Sequence, residues 1–349
     1  MDIEARIGLI KQVGEEIITE EDLRRLLETK DKPLAYDGFE PSGRIHIAQG
    51  LLKALNVNRM LKAGCKYTML VADWHAWINK KYGGDLEKIE TAGKLMTEIW
   101  KACGMDLENV KFAHAKELVN DGEYWKKVVQ ISQHTTIQRM QRCSTIMGRQ
   151  EGEMTQTGQL LYPAMQCADI FHMNVDICQL GMDQRKVNIL AREIGPKLGW
   201  YSPVAVHHHM ILGLSKPKGT DVLSRKMSKS NPDSAIFMDD AAAEVERKLA
   251  KAYCPEKQAE ENPVLEYCKY IIMPMTEGLM LQRKFGGEIE YVDYSALEQD
   301  YKEGKVHPLD LKNAVAYHLN KLLEPVREHF SKGKPQELLK EVRKFAITK

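Results

Sequence analysis

Apolar positions near the start of the chain recur at helical spacing. Residues 3 to 30 follow this pattern, and "TEEDLRRLL" at Thr19 begins like a capped helix. The same spacing returns over roughly 86 to 104 and 122 to 149. We therefore predict that each of these three stretches is helical.

Short, nearly unbroken apolar runs lie among the helical stretches. One run ends at Tyr36, and "KYTMLVAD" covers Lys66 to Asp73. Two further runs are "NVDICQLG", Asn174 to Gly181, and "AVHHHMIL", Ala205 to Leu212. A strand buried on both faces shows such a run, and strands that alternate with helices form βαβ units. The pattern predicts an α/β fold with a doubly wound, mostly parallel, Rossmann-like sheet.

The pattern changes after Asp239, where the chain becomes almost wholly helical. "HPLDLKNAVAYHLNKLLEPVREHF" is the clearest amphipathic helix of this part. The shift in composition near 235 to 260 marks a domain boundary, and 349 residues suffice for two domains. We expect a sheet-containing domain over 1–239 and an all-helical C-terminal domain over 240–349.

Composition limits the class of protein without naming a function. The chain is 43% hydrophobic and 28% charged, as ordinary globular proteins are, and its formal net charge of +1 means that nucleic-acid binding would need a local basic patch. Seven cysteines are spread singly, which is typical of reduced thiols. The N-terminus is acidic and no apolar run reaches the length of a membrane span. We expect a soluble intracellular protein without a membrane segment.

The loop "YDGFEPSGRIHIAQG", Tyr36 to Gly50, follows the first predicted strand. Its glycines at 38 and 43 let a backbone approach a ligand closely, and the helix that follows offers free N–H groups to an anion. His46 on the opening turn, and Gln49 one turn along, would face phosphate oxygens. A generic βα loop with a surface histidine fits the same letters equally well.

A second loop supplies the partner that the first one lacks. "RKMSKSNP", Arg225 to Pro232, read alone, is a solvated basic loop. "HIAQ" at 46–49 resembles the His-x-Gly-His element of class I aminoacyl-tRNA synthetases, and "KMSKS" at 226–230 matches that family's loop in every letter. Ala48 departs from the usual glycine, and Gln49 replaces the second histidine, so hydrogen bonding to phosphate is kept while a charge is lost.

The segment "QLLYPAMQCADIFHMNVDICQLGMDQRKVNILARE" narrows the resemblance. It is similar to tyrosyl-tRNA synthetases of archaeal and eukaryotic type, and above all to plant and protist cytosolic forms. Tyr162, Gln166 and Asp169 are spaced i, i+4, i+7 and share one helix face. The resemblance implies that Tyr36 and Asp169 take the substrate phenol, while Tyr162, Gln166 and Gln184 hold its ammonium group. The alternative is an amphipathic helix with a polar stripe.

The resemblance also implies the remaining roles. It makes 1–239 a Rossmann-like catalytic domain of the HUP type with a helical connective insertion near 115–160, and 240–349 an anticodon-binding domain. L-tyrosine, ATP with Mg²⁺ and tRNA(Tyr) would be the substrates of a cytoplasmic homodimer without a dedicated metal site. Catalysis would fall to His46, Gln49, Lys226 and Lys229. ATP would contact Gly38, His46, Gln49, Lys226, Ser228 and Lys229.

Contacts with tRNA are implied at two places. Phe285, in "KFGG", and Asp310, in "HPLDLKN", match positions that meet the anticodon, although a core phenylalanine and a helix cap are the alternatives. Arg139, Arg142 and Arg149 could contact acceptor-stem phosphates, or they could form a solvated helix face.

Other functions compete with this hypothesis. A tryptophan-specific synthetase shares fold and loops, but an indole offers only an N–H donor to Tyr36 and Asp169. A nucleotidyltransferase of the same superfamily would have no use for the helical domain, and an inactive RNA-binding or signalling paralogue would have no reason to keep His46 and both loop lysines. "HHH", His207 to His209, suggests a metal cluster, yet consecutive strand residues alternate faces and cannot all bind one ion.

Overall fold

The computed structural model describes residues 1–148, 156–217, 219, 225, 227 and 231–345. Its first part is built on a six-stranded sheet whose strands lie in the order β1-β6-β5-β2-β3-β4. The strands are β1 Glu16–Ile18, β2 Leu34–Phe39, β3 Lys66–Val71, β4 Val110–His114, β5 Ile177–Gly181 and β6 Val204–His208. All neighbours pair in parallel except β1, which is antiparallel to β6. The prediction of an α/β fold with a mostly parallel sheet is confirmed.

Helices cover both faces of this sheet. They are α1 Ile3–Lys11, α2 Glu20–Thr29, α3 Lys53–Lys62, α4 Asp73–Ile78, α5 Leu86–Ala102, α6 Ala115–Leu118, α7 Gly122–Gln133, α8 Ile137–Cys143, α9 Gly158–His172 and α10 Arg185–Lys197. A π-helical turn, Ala48–Leu52, leads directly into α3. One buried cluster joins α1, α3 and α5 to the sheet, and a second joins α7, α9 and α10 to its other face.

The rest of the chain adds helices and one hairpin. The helices are α11 Ala242–Lys251, α12 Pro263–Tyr267, α13 Met273–Thr276, α14 Tyr294–Lys302, α15 Pro308–His329 and α16 Gly333–Val342. The hairpin consists of β7 Leu279–Arg283 and β8 Gly287–Tyr291, paired in antiparallel register. The division at 239 and 240 stays a prediction.

Two of the predicted helices are interrupted, and one strand was not predicted. The stretch 3 to 30 is two helices separated by β1, because the Glu15 N–H donates to the His207 carbonyl 2.8 Å away and ties this segment to the sheet edge. The stretch 122 to 149 breaks into α7 and α8, since the Thr136 hydroxyl accepts from the Arg139 N–H at 3.2 Å and caps a new helix. The sequence also gave no sign of β4.

The part after Asp239 is not almost wholly helical, because β7 and β8 lie within it. Leu279 and Leu281 are buried while Met280 between them is exposed, which is the alternation of a strand with one covered face. Gly286 and Gly287 have φ of 106° and 74° and make the turn. Within the described ranges, no helix combines the length and the apolar character that crossing a membrane requires.

Candidate active site

Helix α9 brings three predicted side chains into the protein interior at the carboxyl end of the sheet. Tyr162, Gln166 and Asp169 are all buried, and Asp169 has no exposed surface. Its Oδ1 accepts a hydrogen bond of 2.9 Å from the Tyr124 hydroxyl, and its Oδ2 lies 3.1 Å from His75 Nε2. The carboxylate is therefore held from two sides.

His75 and Tyr124 are functional candidates that the sequence reasoning missed. Burial alone would lower the pKa of His75, but the Asp169 carboxylate outweighs it and the pKa is raised. Burial, with a smaller contribution from Asp169, raises the pKa of the Tyr124 phenol well above its usual range. Both side chains thus favour the protonated, donating form beside Asp169. The available signal was position, since His75 lies on α4, immediately after strand β3.

Tyr36 lies near this carboxylate on strand β2. Its hydroxyl is buried and has no hydrogen-bond partner among the described residues. Burial and then nearby negative groups, Asp169 among them, raise its pKa well above the usual range, so it stays a donor at neutral pH. A buried polar atom without a partner is costly, and a ligand hydroxyl at this point would remove the cost.

The other end of the site is polar. Gln166 donates to Gln184 over 3.2 Å, and Gln184 in turn donates to the Ile146 carbonyl over 3.0 Å. The Tyr162 hydroxyl donates to Glu40 Oε1 at 2.7 Å. Glu40, in the loop "FEPSG", is a third residue that sequence reasoning overlooked. Its carboxylate also accepts from Asn79 Nδ2 at 3.0 and 3.1 Å.

The turn that carries His46 is held by backbone pairing with the segment after the KMSKS loop. His46 forms an isolated bridge with Phe237, the Ile47 N–H donates to Ile236 over 3.0 Å, and the Met238 N–H donates to Ile45 over 2.8 Å. A Cβ at Gly50 would lie 2.4 Å from Met238 Sδ, so a larger residue here would displace the Met238 side chain. The His46 carbonyl accepts from the Gln49 and Gly50 N–H groups at 2.9 and 3.0 Å, so His46 lies at the start of the helical turn Ala48–Leu52.

The residues on either side of the second signature loop both pair with the adjacent residues Gly213 and Leu214. Lys226, Ser228 and Lys229 lie outside the described residues, as does Arg149. Arg225 and Met227 are described: the Arg225 carbonyl accepts from Gly213 at 2.9 Å, and Met227 is buried. The Leu214 N–H donates to Ser234 over 2.9 Å, which fixes the far end of the loop.

The remaining predicted positions lie elsewhere. Gly38 is on β2, where its N–H donates to the Asp37 carboxylate over 2.7 Å. Phe285 is 82% exposed at the hairpin tip, so the core alternative is wrong. Asp310 is in the first turn of α15, where its carboxylate accepts from the Lys284 N–H at 3.3 Å, and His307 is the capping residue.

The basic and histidine clusters separate in space. Arg139 pairs with Glu193 at 2.9 Å, whereas Arg142 is exposed. His207 contacts Glu16, His208 lies 2.9 Å from Gln179, and His209 lies between Glu15 and Glu266. These histidines face different neighbours, which agrees with the alternation argued from the sequence.

Comparisons with known proteins agree with this geometry. The family "tRNA synthetases class I (W and Y)" matches residues 28–324. Tyrosine--tRNA ligase 1, cytoplasmic, of Arabidopsis thaliana is 46% identical over 354 residues, which cover 100% of this chain and 90% of that protein.

Two solved structures have the same fold. A Leishmania major tyrosyl-tRNA synthetase in complex with tyrosinol superposes with a TM-score of 0.92 at 43% identity, covering 99% of this chain and 52% of that longer chain. The tyrosyl-tRNA synthetase of Pyrococcus horikoshii, complexed with L-tyrosine, gives a TM-score of 0.90 at 43% identity and covers 98% of this chain and 100% of that chain.

Proposed function

This chain belongs to the class I tRNA synthetases of the tryptophan and tyrosine family, within the tyrosine group, and we propose that it attaches L-tyrosine to tRNA(Tyr) using ATP. The observation that carries this proposal is a buried Tyr36 hydroxyl without a partner, close to the buried Asp169 carboxylate. A phenolic O–H can both accept from Tyr36 and donate to Asp169.

The phenol site selects tyrosine by pairing polar groups. Tyr124 and His75 hold the Asp169 carboxylate, which accepts a hydrogen bond from the substrate hydroxyl. Phenylalanine would leave Tyr36 and Asp169 buried without that partner, a cost of about 1–3 kcal/mol for each group. An indole could donate to Asp169 but could not accept from Tyr36, which disfavours tryptophan.

At the polar end, Tyr162, Gln166 and Gln184 bind the substrate ammonium group. The hydrogen bond from Gln166 to Gln184 and the bond from Gln184 to Ile146 fix these amides before the substrate arrives. Preorganised partners reduce the ordering cost of binding.

The tyrosine carboxylate attacks the α-phosphorus of ATP in line and releases pyrophosphate, giving tyrosyl-adenylate. A terminal ribose hydroxyl of the tRNA then attacks the adenylate carbonyl. No enzyme nucleophile is needed, because positioning and charge stabilisation lower the barrier. The stabilising groups are His46, Gln49, Lys226 and Lys229, while Gly38 and Ser228 complete the ATP contacts.

Mg²⁺ enters as part of the substrate, bound to the ATP phosphates. Within the described ranges, no group of three or more acidic, histidine or cysteine side chains is placed to hold a metal ion. A Mg²⁺ ion that enters with ATP would neutralise charge on the phosphates, which is its usual role with a nucleotide.

The C-terminal part, 240–349, binds the anticodon. The 82% exposed Phe285 ring can stack on a base. The Asp310 carboxylate, which accepts from the Lys284 N–H at 3.3 Å next to Phe285, can also accept from a base edge. Arg142 on α8 is exposed and forms no ion pair with an acidic side chain among the described residues, so it suits an acceptor-stem phosphate.

The active form is a cytoplasmic homodimer. Exposed Val129, Ile137 and Leu161 lie on α7, α8 and α9, which form the connective insertion near 115–160 and the helix after it. Exposed apolar side chains on neighbouring helices are typical of an interface. All seven cysteines are free thiols, which agrees with a reducing compartment. Sedimentation of the wild type and of Ile137→Glu tests the dimer; a monomeric wild type contradicts it.

The decisive experiment is ATP–pyrophosphate exchange with each of the twenty amino acids. Tyrosine alone should stimulate exchange. Stimulation by tryptophan would support the tryptophan-specific alternative, and no exchange with any amino acid would support an inactive paralogue.

A further inference from the structure

A buried lysine lies where strands β2 and β5 part. The pairing between these strands ends at Tyr36 and Cys178. The next residues, Asp37 and Gln179, are both buried on the side of the sheet that α3 covers. Lys53, the first residue of α3, reaches between them, and its side chain is fully buried.

The Lys53 ammonium joins several strands at once. It forms an ion pair with Asp37 and donates to Gln179 Oε1 over 3.1 Å. The Tyr67 hydroxyl donates to the same oxygen over 2.7 Å, and Gln179 Nε2 lies 2.9 Å from His208 Nδ1. This network, Asp37, Lys53, Tyr67, Gln179 and His208, connects α3 to strands β2, β3, β5 and β6.

Stability alone gives a weak reason for such a network. Burial lowers the pKa of Lys53 and raises the pKa of Asp37 to about 6, although each charge partly offsets this effect on the other. A neutral pair of similar size would be about as stable as a dry ion pair. The network therefore calls for an explanation in terms of function.

The position of the network points to the nucleotide. In an open parallel sheet, ligands bind in a crevice between two neighbouring strands whose onward connections lead to opposite sides of the sheet. Here the chain passes from β2 to β3 on one side and from β5 to β6 on the other, so β2 and β5 form that crevice. Lys53 follows directly on the π-helical turn Ala48–Leu52, which contains Gln49 and comes just after His46. The tyrosine site lies on the other face of β2, since Tyr36 packs with the α9 cluster.

We propose that Lys53 is a positioning residue for ATP: anchored to Asp37 and Gln179, it sets the width of the crevice and fixes the turn that carries His46 and Gln49. This inference rests on the proposed function. The ammonium does not touch the reacting atoms; it acts through the turn and the two strands.

The main test is the double variant Lys53→Met/Asp37→Asn, which removes both charges and leaves neither one unpaired. We expect the KM for ATP in pyrophosphate exchange to rise at least about tenfold, because small misplacements of binding groups have effects of this size. The KM for tyrosine should change less than about threefold, since the phenol site lies across the sheet. An unchanged KM for ATP in a folded double variant overturns the proposal.

Two further variants test whether the change in KM comes from the network or from a general loss of stability. Gln179→Met keeps the ion pair but detaches it from β5, and it should also raise the KM for ATP selectively. Arg6→Met is the control: Arg6 is a buried cation bonded to the Ala63 and Asp31 carbonyls at 2.7 and 2.8 Å, so its loss should lower the Tm without changing either KM. A matching rise in the KM for ATP in Arg6→Met would reduce the effect to general destabilisation and overturn the proposal.

Calorimetric titration with ATP separates this inference from the proposed function. The Kd for ATP should rise in the double variant and in Gln179→Met, even if the wild type showed no pyrophosphate exchange. Equal Kd values for wild type and both variants would contradict the positioning role, whereas absent exchange with intact ATP binding would contradict only the proposed function.

Discussion

At the scale of single residues, we propose that tyrosine selectivity depends on Asp169. It is fully buried; the Tyr124 hydroxyl donates to its Oδ1 over 2.9 Å, and His75 Nε2 lies 3.1 Å from its Oδ2. We propose that the hydroxyl of a bound tyrosine is a further donor to this carboxylate.

Asp169→Asn should raise the KM for tyrosine by about 10- to 150-fold, because a hydrogen bond to a charged acceptor contributes about 1.5–3 kcal/mol. The KM for ATP should change little. Steady-state pyrophosphate exchange measures both constants, and Asp121→Asn, at the cap of α7, is a surface control. An unaltered KM for tyrosine in Asp169→Asn would remove this residue from the phenol site.

The second prediction at the residue scale concerns Lys229, whose loop resembles the KMSKS loop of class I synthetases. Lys229→Ala should lower kcat for pyrophosphate exchange about 100-fold or more, since one lost transition-state donor typically has this effect. Binding of tyrosine, measured by calorimetry, should stay the same. Near-normal exchange would exclude Lys229 from catalysis.

At the scale of elements, His209 joins three segments that are distant in sequence. Its ring lies 3.2 Å from Glu15 and 3.2 Å from Glu266, and it stacks on Tyr270 at 4.4 Å between ring centroids. Burial would lower its pKa, but the two carboxylates outweigh burial and raise the pKa to about 9. The histidinium thus connects the segment before β1, the end of β6 and α12.

Because the folded-state pKa of His209 is above the ordinary value of 6.5, protonation stabilises the fold. This contribution, at most about 3 kcal/mol, is complete below pH 6.5 and disappears as pH rises through about 9. We expect His209→Gln to have a lower free energy of unfolding than the wild type at pH 6. Near pH 10 the two free energies of unfolding should be almost equal. Denaturant titrations across this range measure it; a difference that does not shrink with pH would contradict the assignment.

Element predictions from sequence succeeded where contacts are local or burial is complete. The capped start of α2 follows from Thr19, whose hydroxyl accepts from the Asp22 N–H at 3.0 Å. β3 and β5 are buried on both faces and were visible as apolar runs. β1 was missed because its pairing is with β6, nearly two hundred positions later, and three residues contain too little pattern to detect.

At the scale of the whole molecule, the C-terminal helices pack on the sheet-containing part. His329 Nε2 lies 2.7 Å from Glu98 Oε2 on α5, and Phe345 packs edge-on against Tyr82 with centroids 5.5 Å apart. The hairpin tip with Phe285 extends into solvent away from these contacts.

Phe285→Ala should therefore weaken the binding of tRNA and leave amino-acid activation unchanged. The KM for tRNA(Tyr) in aminoacylation should rise about 5- to 100-fold, the loss expected for one base stacked on an aromatic ring at about 1–3 kcal/mol. Pyrophosphate exchange should be unchanged. Val292→Ala, an equally exposed side chain just after β8, is the matched control. Equal effects of both substitutions on aminoacylation would exclude a specific role of Phe285.

The sequence alone was sufficient to predict the α/β class, the two signature loops, and the face of α9 with Tyr162, Gln166 and Asp169. These features depend on periodicity and on short motifs, and both can be seen in residues that are close together in the sequence. The tertiary structure decided which groups meet Asp169, how the segment after the KMSKS loop pairs with the His46 turn, and that Lys53 fills the gap between β2 and β5. Those contacts join residues separated by tens to hundreds of positions, so no local pattern could predict them; they exist only because strands and helices pack into one buried core.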